Sequence, residues 1–298
     1  MCGIVGLLVK HRKHRSRLGE WMLPMLVAMS ERGPDSAGLA VFTEPAAKGR
    51  RKVSLYAADR ATDWIRLGRA AKAEFGRDST LTVKTNHAIL ECKAKSEALR
   101  AWVNKKYPEL YLLSAGQAMD LYKSTGLPAQ IAQRYDFRHL KGTHLVGHTR
   151  MATESAVTPA HAHPFTAGED FCLVHNGSLS NPFSIRRKLE PLGIHFDTDN
   201  DTEAATRFLE WRMRDGDDLK TAVQKGFDQL DGFYTFLMGT KNQLALVRDA
   251  FSCKPAVVAE TDDYVAISSE FRALARLPGV KNARIFEPMP EEICVWSA

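Results

Sequence analysis

Cys2 is the second residue of the chain and opens an apolar segment, CGIVGLLV. If Met1 is removed, this one residue carries both a thiol and a free α-amine. An α-amine with a pKa of about 8 can accept the proton of a thiol whose pKa is about 8.5, so Cys2 could supply nucleophile and base together. We therefore expect removal of Met1 and a nucleophilic Cys2. The alternative is a small, buried apolar residue with no chemical role.

Further polar residues occur in short motifs along the chain. After MCGI they are, in order, RGPDSAG at 32–38, GHTRMAT at 147–153, HP at 163–164, HNG at 175–177 and NDTE at 200–203. Together these six motifs resemble the class II glutamine amidotransferases, the N-terminal-nucleophile family. That family includes the glutaminase domains of glucosamine-6-phosphate synthase and glutamate synthase. The resemblance covers about 2–43 and 144–270.

The resemblance implies catalytic roles for three residues. Cys2 would attack the side-chain amide of free L-glutamine, forming a thioester and releasing ammonia, and water would then release glutamate. The side-chain N–H of Asn176 and the backbone N–H of Gly177 would form the oxyanion hole. For these last two residues the alternative is a simple Asn-Gly turn.

The resemblance also implies a glutamine pocket. Arg150 would bind the α-carboxylate, because a planar guanidinium matches two oxygens, and Asp201 would bind the α-ammonium. Thr153 and His163 would lie beside the substrate, and Arg32 would position the nucleophile or contact the substrate. The alternatives are a surface charge at a strand end for Arg150 and a helix cap for Asp201.

Strands are predicted near both ends of the chain, with helices between them. Residues 2–9 have the pattern of a buried strand, 18–31 that of a helix, and most of 232–296 that of successive strands. This order favours an α+β fold over an alternating βαβ array. Together with the resemblance it predicts an Ntn-hydrolase-like αββα layered sandwich, with residues 1–298 as a single class II glutamine amidotransferase domain.

Composition excludes several classes of protein. The 298 residues are 44% hydrophobic and 26% charged, which excludes a disordered, collagen-like or coiled-coil chain. Lys plus Arg at 41 against Asp plus Glu at 35 gives a net charge of +6, but the basic runs lack aromatics, so we expect no nucleic-acid partner. Five cysteines without a CxxC pair, and no apolar run of about 20 residues, predict a cytoplasmic protein with no membrane partner. His144 with His148, and His161 with His163, have the spacing of possible metal ligands, but no Cys or carboxylate completes either pair, so no metal is expected.

The sequence shows no ammonia-consuming domain after about 270. We therefore expect synthase subunits of a hetero-oligomeric complex as partners, and the nearest resemblance is to the amidotransferase subunit of methylamine–glutamate synthase (N-methylglutamate synthase). The resemblance implies no cofactor in this chain and places a possible flavin on a partner subunit. Two alternatives stay open: a non-catalytic structural subunit, and an Ntn hydrolase of another amide.

An insertion at about 44–140 carries no motif of the family. Its pattern predicts a mainly helical segment, which includes a helix at 115–134. Basic runs and exposed-looking helices make it the candidate docking surface for partner subunits, and a solvated elaboration with no partner is the alternative.

Overall fold

The apolar segment after Cys2 forms the central strand of the largest sheet. The computed structural model describes residues 2–152 and 156–298. All seven residues of this strand are buried, as a β-branched, apolar run with a neighbour on each side requires. The strands are β1 (Gly3–Val9), β2 (Ser36–Phe42), β3 (Arg51–Ala57), β4 (Thr80–Lys84), β5 (His87–Cys92), β6 (Leu110–Gly116), β7 (Met119–Thr125), β8 (His144–Arg150), β9 (Phe165–Ala167), β10 (Phe171–Leu179), β11 (Gly232–Thr240), β12 (Gln243–Arg248), β13 (Val257–Glu260), β14 (Tyr264–Ser268), β15 (Arg284–Phe286) and β16 (Ile293–Ser297).

The helices pack on the outer faces of the sheets. They are α1 (Leu18–Ala28), α2 (Trp64–Phe75), α3 (Ser96–Lys106), α4 (Pro128–Arg134), α5 (Pro182–Leu189), α6 (Asp201–Arg214), α7 (Leu219–Phe227) and α8 (Phe271–Leu274). No helix in the described ranges is long and apolar enough to cross a membrane.

Two antiparallel sheets face each other across a shared core. The first has the order β15-β13-β14-β1-β8-β2-β7, and the second has the order β16-β12-β11-β10-β9. Ile4 and Val146 of the first sheet pack against Val174 and Leu237 of the second. Residues at i and i+2 of a strand share a face, so the strands of both sheets contribute alternate residues to the interface.

Helices complete the outer layers. Residues of α1, α4 and α8 cover the far face of the first sheet. Residues of α5, α6 and α7 cover the far face of the second. The order helix, sheet, sheet, helix confirms the predicted αββα sandwich.

The insertion is not mainly helical, and that part of the prediction is wrong. It contains α2 and α3, but also a separate four-stranded sheet of order β4-β5-β3-β6 with its own apolar core. The helix predicted at 115–134 is instead the end of β6, the strand β7 and the short α4. β7 pairs with β2 and so belongs to the first sheet. The sequence of β7, MDLYKST, forms a strand because it adds to a preformed sheet edge, which local propensity does not reveal.

We predict that Gly38→Ala destabilises the fold. A Cβ at Gly38 of β2 would lie 2.1 Å from the carbonyl oxygen of His163, so the loop that carries His163 must move away. Such overpacking costs about 1–3 kcal/mol of unfolding free energy. Urea unfolding of both variants measures it, with Gly68→Ala in α2 as the control. The control Cβ meets Leu81 at an ordinary 3.5 Å, and we expect unchanged or higher stability there. Equal urea midpoints for Gly38→Ala and the wild type would contradict the prediction.

Candidate active site

The main chain of Cys2 is held where the two sheets meet. In the register of β1 and β8, Gly3 lies opposite Thr149, which brings Cys2 to the end of β8. The carbonyl oxygen of Cys2 accepts hydrogen bonds from Nε of Arg32 at 2.9 Å and from Nδ2 of Asn176 at 3.1 Å. Its Sγ donates to the carbonyl oxygen of Met151 at 3.6 Å. The structure thus brings three of the predicted site residues together.

Asn176 lies inside β10 and points toward the first sheet. Alternate residues Cys172 and Val174 enter the core between the sheets, and Asn176 continues that face. Its Nδ2 donates to Cys2 and also to Oγ of Ser269, each at 3.1 Å. Both N–H groups of the amide are therefore occupied. An oxyanion formed here would have to replace one of these two acceptors.

His148 fixes which way the Asn176 amide faces, and sequence reasoning assigned it no role. Nε2 of His148 lies 3.1 Å from Oδ1 of Asn176 and 3.2 Å from the carbonyl oxygen of His175. Both neighbours are acceptors, so Nε2 carries the proton. Burial lowers the pKa of His148 to about 3, which keeps the ring neutral. The signal available in the sequence was the two-residue spacing of Val146, His148 and Arg150 along one strand face.

Gly177 follows Asn176 within β10, so the Asn-Gly turn is wrong. Its φ is +143°, a value that side-chain-bearing residues rarely adopt. A Cβ would lie 2.0 Å from the carbonyl oxygen of Phe233 on β11. Glycine is required here because the neighbouring strand approaches so closely.

Arg150 is the last residue of β8, yet it is only 5% exposed, so a surface charge at a strand end is wrong. Its Nη1 donates to the carbonyl oxygen of Ala156 at 3.0 Å. Asp35 holds the backbone at Arg150 and at Ala152. Its N–H donates to the carbonyl oxygen of Arg150 at 3.0 Å, and its Oδ2 accepts from the N–H of Ala152 at 2.8 Å. The Arg32–Gly38 motif therefore positions the end of β8.

Arg32 links Cys2 to the end of β14. Its Nη1 forms an ion pair with Glu270 at 2.8 Å, and that hydrogen bond lowers the pKa of the Glu270 carboxyl. Ser269 beside it accepts from the N–H of Ile4 at 2.9 Å. Ser269 and Glu270 were not among the predicted site residues. Arg32 is placed to orient Cys2, which agrees with the positioning role.

Asp201 and His163 lie at the start of α6. Asp201 does not cap α6, because Asn200 is the N-cap and accepts from the N–H of Thr202, so the helix-cap alternative is wrong. Oδ2 of Asp201 accepts from the N–H of Leu179 at 2.9 Å, and the side chain is 25% exposed. Nε2 of His163 lies 2.9 Å from Oγ1 of Thr202.

Thr202 was missed, and it joins two buried histidines to the start of α6. Its Oγ1 lies 3.1 Å from Nδ1 of His175 as well as contacting His163. Thr153, a predicted substrate contact, lies outside the described residues. The roles of the predicted residues stay predictions, although the geometry brings Arg32 and Asn176 to the carbonyl oxygen of Cys2.

The fold defines the class of protein. The structure of glutamine phosphoribosylpyrophosphate amidotransferase from B. subtilis matches with a TM-score of 0.63, over 99% of this chain and 47% of that one, at 18% identity. That likeness concerns the fold alone, which is the Ntn-hydrolase-like fold of class II glutamine amidotransferases.

Sequence comparison identifies the family. A family model described as "Glutamine amidotransferase domain" matches residues 148–276. The glutamine amidotransferase-like protein GlxB of Rhizobium meliloti (strain 1021) is 47% identical over 297 residues, which are 99% of this chain and 98% of GlxB. Glutamine–fructose-6-phosphate aminotransferase of Zymomonas mobilis is 37% identical over 132 residues, 44% of this chain and 22% of that enzyme. This chain belongs to the glutamine amidotransferase family.

We predict that the fold loses stability in mild acid. Five histidines have a lowered pKa, and burial is the largest cause for each. The pKa is about 3 for His87 and His148 and about 4 for His144. It lies well below 6.5 for His163 and below 6.5 for His175. Between pH 6.5 and about 4 the unfolded chain binds protons that the folded chain does not. The free energy of unfolding therefore decreases as the pH is lowered, by up to about 1.4 kcal/mol per pH unit for each histidine.

Urea unfolding at pH 7 and pH 5 measures this loss. His144→Asn should reduce the difference in unfolding free energy between the two pH values by the contribution of one histidine. His144 is suitable for this test because it contacts none of the site residues in the described structure. Exposed His195 provides the matched control, and His195→Asn should leave the difference unchanged. An equal unfolding free energy at both pH values would overturn the prediction.

Proposed function

We propose that this chain is a glutaminase in which Cys2, freed by removal of Met1, attacks the side-chain amide of L-glutamine. The observation that carries the proposal is the convergence on Cys2 of Arg32, Asn176 and the end of β8. Membership of the glutamine amidotransferase family supports the choice of glutamine. Nothing in the proposed chemistry needs a cofactor or metal in this chain.

The reaction proceeds in two steps. In the first step the Cys2 thiol gives its proton to the α-amine, and Sγ bonds to the amide carbon. The resulting α-ammonium then protonates the departing nitrogen, so the C–N bond breaks and ammonia leaves. Water then attacks the thioester, the C–S bond breaks, and glutamate and the thiol are released. Each step passes through an oxyanion on the former amide oxygen.

Asn176 and Gly177 stabilise that oxyanion. The Asn176 amide is oriented in advance by His148, so little reorganisation remains when the charge develops. The substrate oxygen takes over one of the N–H groups now bound to Cys2 and Ser269. Gly177 contributes its backbone N–H, and the position must be glycine because a side chain would strike β11.

Recognition of free glutamine falls to two charged residues and their supports. The Arg150 guanidinium binds the α-carboxylate, and Asp201, which is partly exposed beside the end of β10, binds the α-ammonium. His163 keeps Thr202 and the first turn of α6 in place. Thr153 contacts the substrate from the loop after Arg150.

The ammonia passes to a synthase on another subunit, in a hetero-oligomeric complex of the N-methylglutamate synthase type. Support comes from a relative: the match to the Zymomonas aminotransferase spans 22% of that enzyme, so most of that protein lies outside the part that resembles this chain. Any flavin belongs to the partner. The insertion is the surface that docks these subunits.

The first prediction from this proposal concerns Cys2. An electrophilic glutamine analogue should add once to a chain that has lost Met1, the adduct should map to Cys2, and excess glutamine should prevent it. Intact mass and peptide mapping measure all three. Exposed Cys253 is the matched control, so Cys253→Ala should label normally while Cys2→Ala should not. A processed chain that takes no adduct, even within its complex, would favour a structural subunit.

The second prediction separates catalysis from binding. Asn176→Ala should lower kcat by about 10²–10³-fold with a small change in KM, because the oxyanion forms only during reaction. Arg150→Lys should instead raise KM by roughly tenfold or more, because the bidentate contact to the α-carboxylate is lost. Steady-state ammonia release measures both, with thermal unfolding to establish folding. A KM unchanged in Arg150→Lys would argue for an Ntn hydrolase of another amide.

A further inference from the structure

A pocket that Cys2 does not line lies between the insertion and the second helical layer. Its volume is about 410 Å³, which suits a small molecule. One wall comes from α3 and β6 of the insertion, and the opposite wall from α6 and the segment just before it. No role has been assigned to the residues that line it on the insertion side.

Two helix faces meet across this pocket. Arg100 and Asn104 are four residues apart on α3, and Glu203 and Arg207 are four residues apart on α6, so each pair lies on one helix face. Lys123 of β7 also lines the pocket. Three cationic side chains therefore face two carboxylates, those of Glu203 and Asp197.

The two carboxylates are used by Arg207 and by the backbone. Arg207 pairs with Asp197 at 2.9 Å and with Glu203 at 3.2 Å. Glu203 also accepts from the N–H groups of Asp197 and Thr198, at 2.8 and 2.7 Å. Both carboxylates therefore have Arg207 as their ion-pair partner.

Lys123 is satisfied in another way. Its Nζ donates to the carbonyl oxygens of Ala162 at 2.8 Å, Pro164 at 3.3 Å and Ala160 at 3.4 Å. Those carbonyls belong to the loop that carries His163. Lys123 thus holds that loop, and burial lowers its pKa to about 7.

Arg100 lines the pocket but forms no close ion pair among the described residues. It donates to the carbonyl oxygen of Gly168 at 3.1 Å. Burial and the positive charge of Arg207 lower the pKa of Arg100, and they outweigh the carboxylates of Asp197, Glu97 and Glu169, which act in the other direction. An anion in the pocket would relieve both effects.

The remaining walls restrict the kind of anion. Asn104 and the exposed Tyr111 offer polar groups near the mouth, and buried Leu113 and Phe165 offer apolar surface. We propose that this pocket binds a small organic anion, whose carboxylate or phosphate oxygens contact Arg100 while its carbon skeleton packs on the apolar wall. The occupant would also touch α6 within two residues of Asp201.

Calorimetric titration of the full-length Cys2→Ala chain at low ionic strength tests the proposal. The probes are glutarate, a dicarboxylate, and inorganic phosphate, and the tighter of the two identifies the preferred anionic group. We expect saturable binding that Arg100→Gln weakens by at least about tenfold. Asn104→Leu should also weaken anion binding, because it narrows the mouth of the pocket. Asn104 is exposed, so this second test stands even if the fold does not tolerate a change at Arg100.

Two controls locate the binding. Exposed Arg187 on α5 lies outside the pocket, so Arg187→Gln should bind as well as the parent chain. Arg150→Lys should also bind normally, which separates this pocket from the glutamine site. Because no turnover is measured, failure of the glutaminase proposal would leave this result intact. Absence of saturable binding with both probes, or binding that Arg100→Gln leaves unchanged, would overturn the proposal.

Discussion

The Asn176 amide is the group on which the candidate site depends, because its hydrogen bonds connect the second sheet to the first sheet beside the N-terminus. It donates to Cys2 and Ser269 of the first sheet and accepts from His148, while its own backbone belongs to the second. A buried amide must satisfy its donors and its acceptor, so these partners fix its orientation. The position of Cys2 therefore follows from how the two sheets pack, not from the N-terminal segment alone.

The polar core between the sheets and α6 has one requirement, that its histidines stay neutral. Each offers one ring nitrogen to a fixed partner: His148 to Asn176, and His163 and His175 to Thr202. A second proton on any of them would place a charge on a ring that is at most 6% exposed. The same neutral network supports the Asn176 amide and the start of α6, which links the geometry of the site to the pH range in which the fold is stable.

The insertion is tied to the site more closely than its lack of motifs suggested. β7 extends the first sheet beyond β2, and Lys123 on β7 holds the loop that carries His163. Without β7 the edge of β2 would be exposed and that loop would lose its hydrogen bonds to Lys123, so this strand is part of the framework of the site. The four-stranded sheet supports β7 in turn, because His87 of β5 accepts from the N–H of Lys123 at 3.3 Å and Ser54 of β3 accepts from the N–H of Leu121 at 2.9 Å.

The sequence by itself determined the elements with strong local patterns and the residues with distinctive chemistry. Continuous apolar runs predicted β1 and the C-terminal strands, and the ordered motifs predicted Cys2, Asn176 and Arg150 as neighbours. Only the tertiary structure decided β7, which forms by pairing with an existing edge, and the roles of His148 and Thr202. A histidine on a strand has no local signal for its partner, because the atom that it bonds lies on another sheet and is brought there by packing.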